Sequence, residues 1–192
     1  MSLTYPDGRA GLADEVADGT DPLEGLARQL LVEIGEDPGR DGLRETPARY
    51  ARWWREFVGF DPGNTETAFE QVNHGQLVQV NDIRVWSLCE HHLLPFWCDI
   101  SIAYLAKDKL LGLSKFARIA HHHAHRLQVQ ERLTGAIADA IEALCGVPDV
   151  AVRAKGEHLC MTMRGIRSPA TMSTLVLRGV FKDDPHMRNL LS

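Results

Sequence analysis

The sequence lacks any apolar run long enough to cross a membrane, and its first twenty residues contain no apolar core segment. Residues 1–20 are polar, rich in glycine and aspartate, and include several acidic side chains. A secretory signal needs a basic start followed by an apolar stretch, and a membrane helix needs about 20 apolar residues. We therefore expect a cytoplasmic protein with a flexible segment over 1–20 and a single domain over 21–192.

Cysteine is also scarce, and the chain has no net positive charge. The 192 residues include 4 cysteines and carry a formal net charge of −5. The cysteine spacing is not that of a small disulfide-stapled domain, so a reducing compartment would leave the thiols available for metal. The negative balance provides no general field for nucleic acid or an anionic membrane, and an anionic ligand would need a local basic cluster.

Hydrophobic periodicity predicts helices and strands in separate blocks. Helices are expected at five places: 23–34, 46–59, from 114, 129–144 and 183–191. Strands are expected at six places: 76–80, 83–89, 98–105, 150–156, 158–164 and 172–181. Thr46 and Ser114 are the predicted helix caps, and Asn81-Asp82 is a predicted turn between the first two strands. Because strands and helices do not alternate as βαβ units, we expect an α+β domain with an antiparallel sheet.

The strongest chemical signal is a pair of cysteine and histidine clusters. Cys89-Glu90-His91-His92 ends a predicted strand, and Glu157-His158-Leu159-Cys160 lies far downstream. Thiolate and imidazole are the usual ligands of zinc, and a catalytic zinc keeps one coordination position open. Ligands from Cys89, His92 and Cys160 would leave that position, which favours a hydrolytic over a structural zinc. Taken alone, Cys160 among Leu159, Met161 and Met163 favours a buried thiol, and His158 alone could be a hydrogen-bonded core histidine.

Two further stretches have the chemistry to bind an anion and a nucleobase. Lys115 and Arg118 lie one turn apart on a predicted helix whose start offers Ser114 and free N–H groups. The spacing alone favours a solvated basic face. Arg164 could add a bidentate guanidinium. The pair Gln130-Glu131 opens the next helix, where a carboxylate either stabilises the helix dipole or accepts two hydrogen bonds from a guanine edge.

Four motifs in the same order resemble GTP cyclohydrolase I. They are Cys-Glu-His-His-Leu-Leu-Pro-Phe, Gly-Leu-Ser-Lys-x-x-Arg-Ile, Leu-Gln-Val-Gln-Glu-Arg-Leu-Thr and Glu-His-x-Cys-Met-x-Met-Arg-Gly. The resemblance spans roughly residues 22–190. It implies a tunnelling-fold (T-fold) α+β subunit with an antiparallel sheet, paired helices on one face and an N-terminal helical hairpin. The helical part would cover 21–60 and the core 75–192.

The resemblance also implies an assembly and an activity. Five subunits would join their sheets into a barrel, and two such rings would form a decamer with active sites between subunits. The implied reaction converts GTP and water into 7,8-dihydroneopterin triphosphate and formate, the first step of tetrahydrofolate and pterin biosynthesis.

Site roles follow by motif position. Cys89, His92 and Cys160 would hold Zn2+, while His91 and His158 would move protons as water attacks the imidazole ring of guanine. Glu131, with Gln130 alongside, would hold the guanine edge. The triphosphate would be bound by Ser114, Lys115, Arg118 and Arg164, and Leu113 is a further implied substrate-binding residue.

Three places depart from the family pattern. Cys98 stands where the family commonly has glycine, and we expect it to be a packed thiol. Within the histidine run 121–125, His121 and His125 could bind a metal ion, but a solvated or inter-subunit face is favoured. The segment 166–174 is slightly short, which puts substrate detail in doubt.

Three alternatives remain open from the sequence. One is a paralogue that serves a specialised pterin or deazapurine pathway. Another is a T-fold nitrile reductase of the queuosine pathway, which uses a cysteine nucleophile and a nicotinamide cofactor; the zinc ligand set argues against it. The third is an oligomeric binding module braced by zinc, against which the open coordination position and the two spare histidines weigh.

Overall fold

The computed structural model describes residues 21–70 and 75–189. The chain divides into two compact units, residues 1–58 and 59–192. The flexible segment expected over 1–20 lies outside the described residues, and a single catalytic domain over 21–192 stays a prediction. No helix in the described part of the chain is both long and apolar enough to span a bilayer.

The first unit is a helical hairpin. It contains α1 (Pro22–Glu33) and α2 (Thr46–Val58), which match the two predicted N-terminal helices. Asp21 caps α1 by accepting a hydrogen bond from the backbone N–H of Leu23 at 2.9 Å. Arg55, in the last turn of α2, donates to both carboxylate oxygens of Asp21, each at 3.0 Å. Because the start of α1 meets the end of α2, the two helices run antiparallel.

The second unit contains two sheets. The five-stranded sheet has the order β5-β2-β3-β6-β7, and the other sheet pairs β1 with β4. All pairings are antiparallel except that of β2 with β5. The strands are β1 (Ala68–Glu70), β2 (Gln76–Cys89), β3 (Pro95–Ala106), β4 (Lys109–Leu111), β5 (Leu127–Gln128), β6 (Val150–His158) and β7 (Met172–Leu177).

Two long helices pack on one face of the five-stranded sheet, as the sequence predicted for a mixed α+β fold. The helices of this unit are α3 (Leu113–Ala124), α4 (Gln130–Cys145), α5 (Leu159–Thr162), α6 (Val180–Asp183) and α7 (Pro185–Asn189). The core between α3, α4 and the sheet is formed by fully buried aliphatic and aromatic side chains, among them Phe116, Ile119, Leu133, Ile137, Ile141, Val85, Ile100, Ile102 and Val152. Burial of such side chains is the main favourable contribution to folding.

The turn predicted at Asn81-Asp82 is wrong, because β2 is one continuous strand. It pairs with β3 on both sides of this position, and its register shifts between Val80 and Ile83. Asp82 has a φ of 58°, a left-handed conformation that aspartate adopts more readily than most residues. The pair therefore forms a bulge that bends the strand without reversing it.

The strand predicted over 158–164 is also wrong. β6 ends at His158, whose partner Phe96 lies one residue from the start of β3. Beyond this point β3 offers almost no further backbone to pair with, and the chain turns into the short helix α5. Cys160 therefore comes from a helical turn. The last predicted strand, 172–181, is shorter than expected, since β7 ends at Leu177 and α6 follows.

Ser114 does not cap its helix. The N-cap of α3 is Gly112, and no side chain makes the capping hydrogen bond. Ser114 instead lies within the first helical turn with an exposed side chain. Its hydroxyl is therefore not used by the backbone at the helix start.

Candidate active site and metal centre

Cys89, His92 and Cys160 form a group that could hold a metal ion. One ligand atom from each lies within 4.8 Å of the others, and the Cys89 Sγ is 3.6 Å from His92 Nδ1. Cys89 is the buried last residue of β2, His92 lies in the turn that follows, and Cys160 is in α5. The end of one strand and the helical turn after another thus bring the three predicted ligands together.

The donor set fits zinc. Two thiols and one imidazole are ligands that zinc prefers, and three protein ligands are typical of a catalytic site. Burial and the neighbouring Cys89 thiol raise the pKa of Cys160. Two adjacent thiols resist becoming two thiolates unless a cation compensates for their charge, and a bound metal would do so.

His158, two residues before Cys160, is held firmly from two directions. Its ring stacks on Phe96, with the ring centroids 4.5 Å apart and the planes at 5°. Its Nε2 lies 2.9 Å from the Oε1 of Gln130. Burial lowers the pKa of His158, and the negative charge of Glu131 opposes that shift.

Gln130 is completely buried. It is the first residue of α4, and its amide nitrogen lies within hydrogen-bond distance of three oxygens, on Ala154, Met172 and Thr174. Each polar atom of the amide therefore already has a protein partner. The predicted contact of Gln130 with a guanine stays a prediction, and at this position it would fall to backbone groups in the first helical turn.

Glu90, to which the sequence assigned no role, links the metal-binding turn to α4. Its carboxylate accepts two hydrogen bonds from Arg132, at 2.6 and 3.1 Å, and this pairing holds the pKa of Glu90 below its ordinary value. His91 Nε2 lies 3.8 Å from the same carboxylate. Glu131, the neighbour of Arg132, has an exposed side chain in the first turn of α4.

The predicted anion-binding residues at the start of α3 lie at the other end of the sheet. Phe116, beside Lys115, packs on Tyr104 with ring centroids 6.0 Å apart, and Tyr104 pairs with Val78 near the start of β2. At the opposite end of α3, Ser87 donates a hydrogen bond to the backbone oxygen of Ala124 at 2.7 Å. The strand from Val78 to the metal-binding end of β2 covers on the order of 30 Å. Within one chain, the start of α3 is therefore remote from the metal group.

The basic side chains at the start of α3 contact a loop of their own unit. Lys115 is buried, and its Nζ donates to the backbone oxygen of Asn64 at 2.5 Å. Arg118 Nη1 lies 3.5 Å from the same oxygen. Leu113 and Ser114 are exposed beside them. The four predicted residues thus lie together as a cluster, separate from the metal ligands of the same chain.

A family model for GTP cyclohydrolase I matches residues 23–192. The chain belongs to the GTP cyclohydrolase I family. The resemblance carried by the four sequence motifs is thereby confirmed over nearly the whole described chain.

Curated relatives support the same assignment. GTP cyclohydrolase 1 of Deinococcus radiodurans is 43% identical over 179 residues, covering 89% of this chain and 82% of that protein. GTP cyclohydrolase 1 of Hyperthermus butylicus is 46% identical over 167 residues, covering 86% of each. The enzyme of the same name from Thermobifida fusca is 44% identical over 183 residues, covering 92% of this chain and 88% of that protein.

Among solved structures, the archaeosine synthase QueF-Like in its apo form aligns with a TM-score of 0.41 and 17% sequence identity. The alignment covers 54% of this chain and 95% of that chain.

Arg164 lies on the metal side of this GTP cyclohydrolase I family member. It is exposed in the segment after α5, and its positive charge favours the thiolate form of Cys160. Of the predicted cationic substrate residues, Arg164 is therefore the one that the structure brings to the metal group. The segment 163–167 around it is exposed.

The places that depart from the family pattern are resolved in part. Cys98 is fully buried, and burial raises its pKa to about 12, which describes a packed neutral thiol. The histidine run at the end of α3 is half-buried, and His125 stacks on Phe60 with ring centroids 3.9 Å apart. His125 Nδ1 lies 2.8 Å from the backbone oxygen of His121. These rings therefore pack within their own unit.

Sequence reasoning missed four residues that support the site. The ring of Phe96 stacks on that of His158, and Arg132 donates hydrogen bonds to the carboxylate of Glu90. Thr134 and Thr174 extend the buried hydrogen-bond network around Gln130. The spacing of Gln130 and Thr134, four apart on α4, places both on one helix face, which was the only available signal.

Proposed function

We propose that this protein is a zinc-dependent GTP cyclohydrolase I, which converts GTP and water into 7,8-dihydroneopterin triphosphate and formate. The observation that carries the proposal is the group formed by Cys89, His92 and Cys160, with His158 two residues from Cys160, in a chain of this family. The reaction would be the first step of tetrahydrofolate and pterin biosynthesis, and the cytoplasm would be its compartment.

The metal ligands would be Cys89, His92 and Cys160. Zinc bound by such a set supplies a water whose pKa is lowered to near neutrality. The described residues around the group then provide orientation and proton transfer. Arg164 contributes positive charge on the same side and suits a phosphate or sugar oxygen.

His158 and His91 are the proposed proton-transfer residues. His158 is half-buried, stacked and hydrogen-bonded, which gives it one defined orientation. His91 is largely exposed in the metal-binding turn, beside the carboxylate of Glu90. A histidine imidazole can both accept and return a proton near neutral pH, as opening of the guanine imidazole ring requires.

Glu131 is the proposed guanine-binding residue. Its exposed carboxylate can accept hydrogen bonds from ring nitrogen 1 and the exocyclic amine of guanine. It lies at the start of α4, directly after Gln130, which contacts His158. The base would therefore be held next to the proton-transfer residue. Adenine has no such pair of donors on the corresponding edge.

A second copy of the chain would complete the site. In one chain the cluster of Leu113, Ser114, Lys115 and Arg118 lies at the opposite end of the sheet from the metal group, so it would serve the metal group of a neighbour. Exposed apolar side chains on the single chain support such an assembly, among them Trp86 at 49% exposure and Leu175 at 46%. We propose the family's ring of five and decamer of two rings, and native mass spectrometry should give the mass of ten chains. A stable monomer would contradict this.

The function is tested by nucleotide selection. The protein should release formate from GTP and give a pterin that fluoresces after oxidation, whereas ATP should give neither. Inosine triphosphate lacks the exocyclic amine, and loss of one hydrogen bond to a carboxylate should lower kcat/KM roughly 10–100-fold. Glu131→Gln should reduce the difference in kcat/KM between GTP and inosine triphosphate. Absence of formate and pterin from GTP would rule out the proposed reaction.

A further inference from the structure

We infer that Gln130 is a positioning residue that holds His158 in the tautomer with its hydrogen on Nε2 and its lone pair on Nδ1. The inference rests on the proposed function only in giving His158 a part in turnover. It assigns Gln130 to the imidazole instead of to the guanine. The support comes from the direction of each hydrogen bond around the buried amide.

The orientation of the Gln130 amide is fixed by two carbonyl groups. Its nitrogen lies 3.0 Å from the backbone oxygen of Ala154 and 3.2 Å from that of Met172. A carbonyl oxygen can only accept, so the atom facing both of them must be the NH2 group. The reversed amide would place an oxygen against two oxygens in a site with no exposure, which is strongly unfavourable.

Two threonines remove the remaining freedom. Thr134 uses its hydroxyl hydrogen on the backbone oxygen of Gln130, at 2.7 Å. In the 2.6 Å contact between the two threonine hydroxyls, Thr174 must therefore be the donor. The Thr174 oxygen is then left as an acceptor 3.2 Å from the Gln130 nitrogen, where it can share one of the two NH2 hydrogens with a carbonyl group. The chain of hydrogen bonds runs in one direction only.

Because the NH2 group of the amide donates to the backbone carbonyls, the Gln130 Oε1 faces His158. It lies 2.9 Å from His158 Nε2 and can only accept, so Nε2 carries the hydrogen. The parallel stack on Phe96 restricts rotation of the ring out of this contact. Any proton that His158 exchanges during turnover must then pass through Nδ1.

Gln130 is well placed for this part because three elements meet at its side chain. It begins α4, its amide is held by β6 through Ala154 and by β7 through Met172 and Thr174, and His158 ends β6. A glutamine at a helix start is ordinarily solvated, and complete burial is unusual for this residue type. The burial is explained if the amide orients the neighbouring His158 ring.

The tautomer can be observed directly in the unmodified protein. Histidine labelled with nitrogen-15 gives distinct resonances for protonated and unprotonated ring nitrogens, and His158→Ala identifies the His158 signals. At an alkaline pH where imidazoles are neutral, His158 should show its hydrogen on Nε2. A hydrogen on Nδ1 would overturn the inference whether or not the protein turns over GTP, so this outcome is separate from failure of the proposed function.

Variants then test the consequence for turnover. Gln130→Met keeps the length of the side chain without the amide, and it should lower kcat about 10–100-fold, as loss of an orienting partner does, with KM for GTP unchanged. Its His158 signals should report both tautomers. Gln128→Met is the matched control, because Gln128 is a second buried glutamine whose amide donates a hydrogen bond to the backbone oxygen of His123 and not to the His158 network. It should lower the melting temperature while keeping the tautomer and kcat. Equal losses of kcat in both variants would overturn the inference.

A double substitution separates positioning from direct substrate contact. In a His158→Ala background, Gln130→Met should cause no further loss of kcat, because the group on which it acts is already gone. A further loss, or a raised KM for GTP, would show that Gln130 contacts the substrate and would overturn the inference.

Discussion

Single residues explain why the site could be predicted only in part from the sequence. Cysteine is scarce, and thiol and imidazole groups are chemically distinctive, so Cys89, His92 and Cys160 were correctly grouped from their spacing, and the structure places their ligand atoms within 4.8 Å of one another. Gln130 was not, because the sequence does not show that its amide turns inward against β6 and β7. The partner of a polar side chain depends on tertiary packing, which leaves no local signal in the sequence.

A pH prediction follows from His123 on α3. Burial, aided by the nearby charges of His122 and Arg126 and opposed by Asp139, lowers its pKa from 6.5 to about 4. The unfolded chain therefore binds more protons than the folded one, and stability should fall as the pH decreases from about 6.5 towards 4. His123→Gln should reduce this loss by on the order of 2–3 kcal/mol.

Denaturant unfolding of both proteins across this pH range measures the effect. The two should have similar slopes of stability against pH above neutrality and should diverge as the pH falls. Parallel curves at all pH values would show that His123 is not kept neutral by the fold.

At the level of elements, periodicity predicted α1 to α4 because each has a long apolar stripe at helical spacing. It failed where tertiary pairing overrides local signals. Asn81-Asp82 carries a turn signal, but β3 pairs on both sides of it and keeps β2 continuous. The segment after His158 alternates like a strand, but β3 offers almost no further backbone there and α5 forms instead.

Two glycines in neighbouring elements should respond oppositely to alanine. At Gly156 in β6, a Cβ would lie 2.0 Å from the backbone oxygen of Trp97 and 2.7 Å from the Cys98 Sγ. Gly156→Ala should destabilise the protein by about 1–3 kcal/mol or more, because backbone must move. At Gly135 within α4 nothing lies within 4 Å of the added carbon. Gly135→Ala should stabilise by about 0.5–1 kcal/mol, as expected inside a helix.

Chemical denaturation monitored by circular dichroism tests the pair. Opposite shifts of the unfolding midpoint are expected, with Gly135→Ala acting as the control for the added methyl group. A Gly156→Ala protein as stable as the parent would mean that β3 and β6 are less closely packed at this point than the structure indicates.

At the scale of the whole molecule, the fold separates two halves of the proposed chemistry. The metal ligands and His158 lie where β2 and β6 end, whereas Lys115 and Arg118 lie near the start of β2. The sequence motifs identify both halves and their order along the chain, but the order of the motifs does not give the distance between the two halves in the fold. The separation of the two halves in one subunit supports the proposed ring, in which a neighbour supplies the missing half.

The most direct test of the proposed function is formate release from GTP before and after removal of the metal. The protein as purified should contain zinc near one ion per chain, release formate and form a pterin. A chelator should abolish turnover, and added zinc should restore it, while Cys160→Ala should neither retain the metal nor respond. Undiminished formate release from metal-free protein, or none from zinc-loaded protein, would contradict the account.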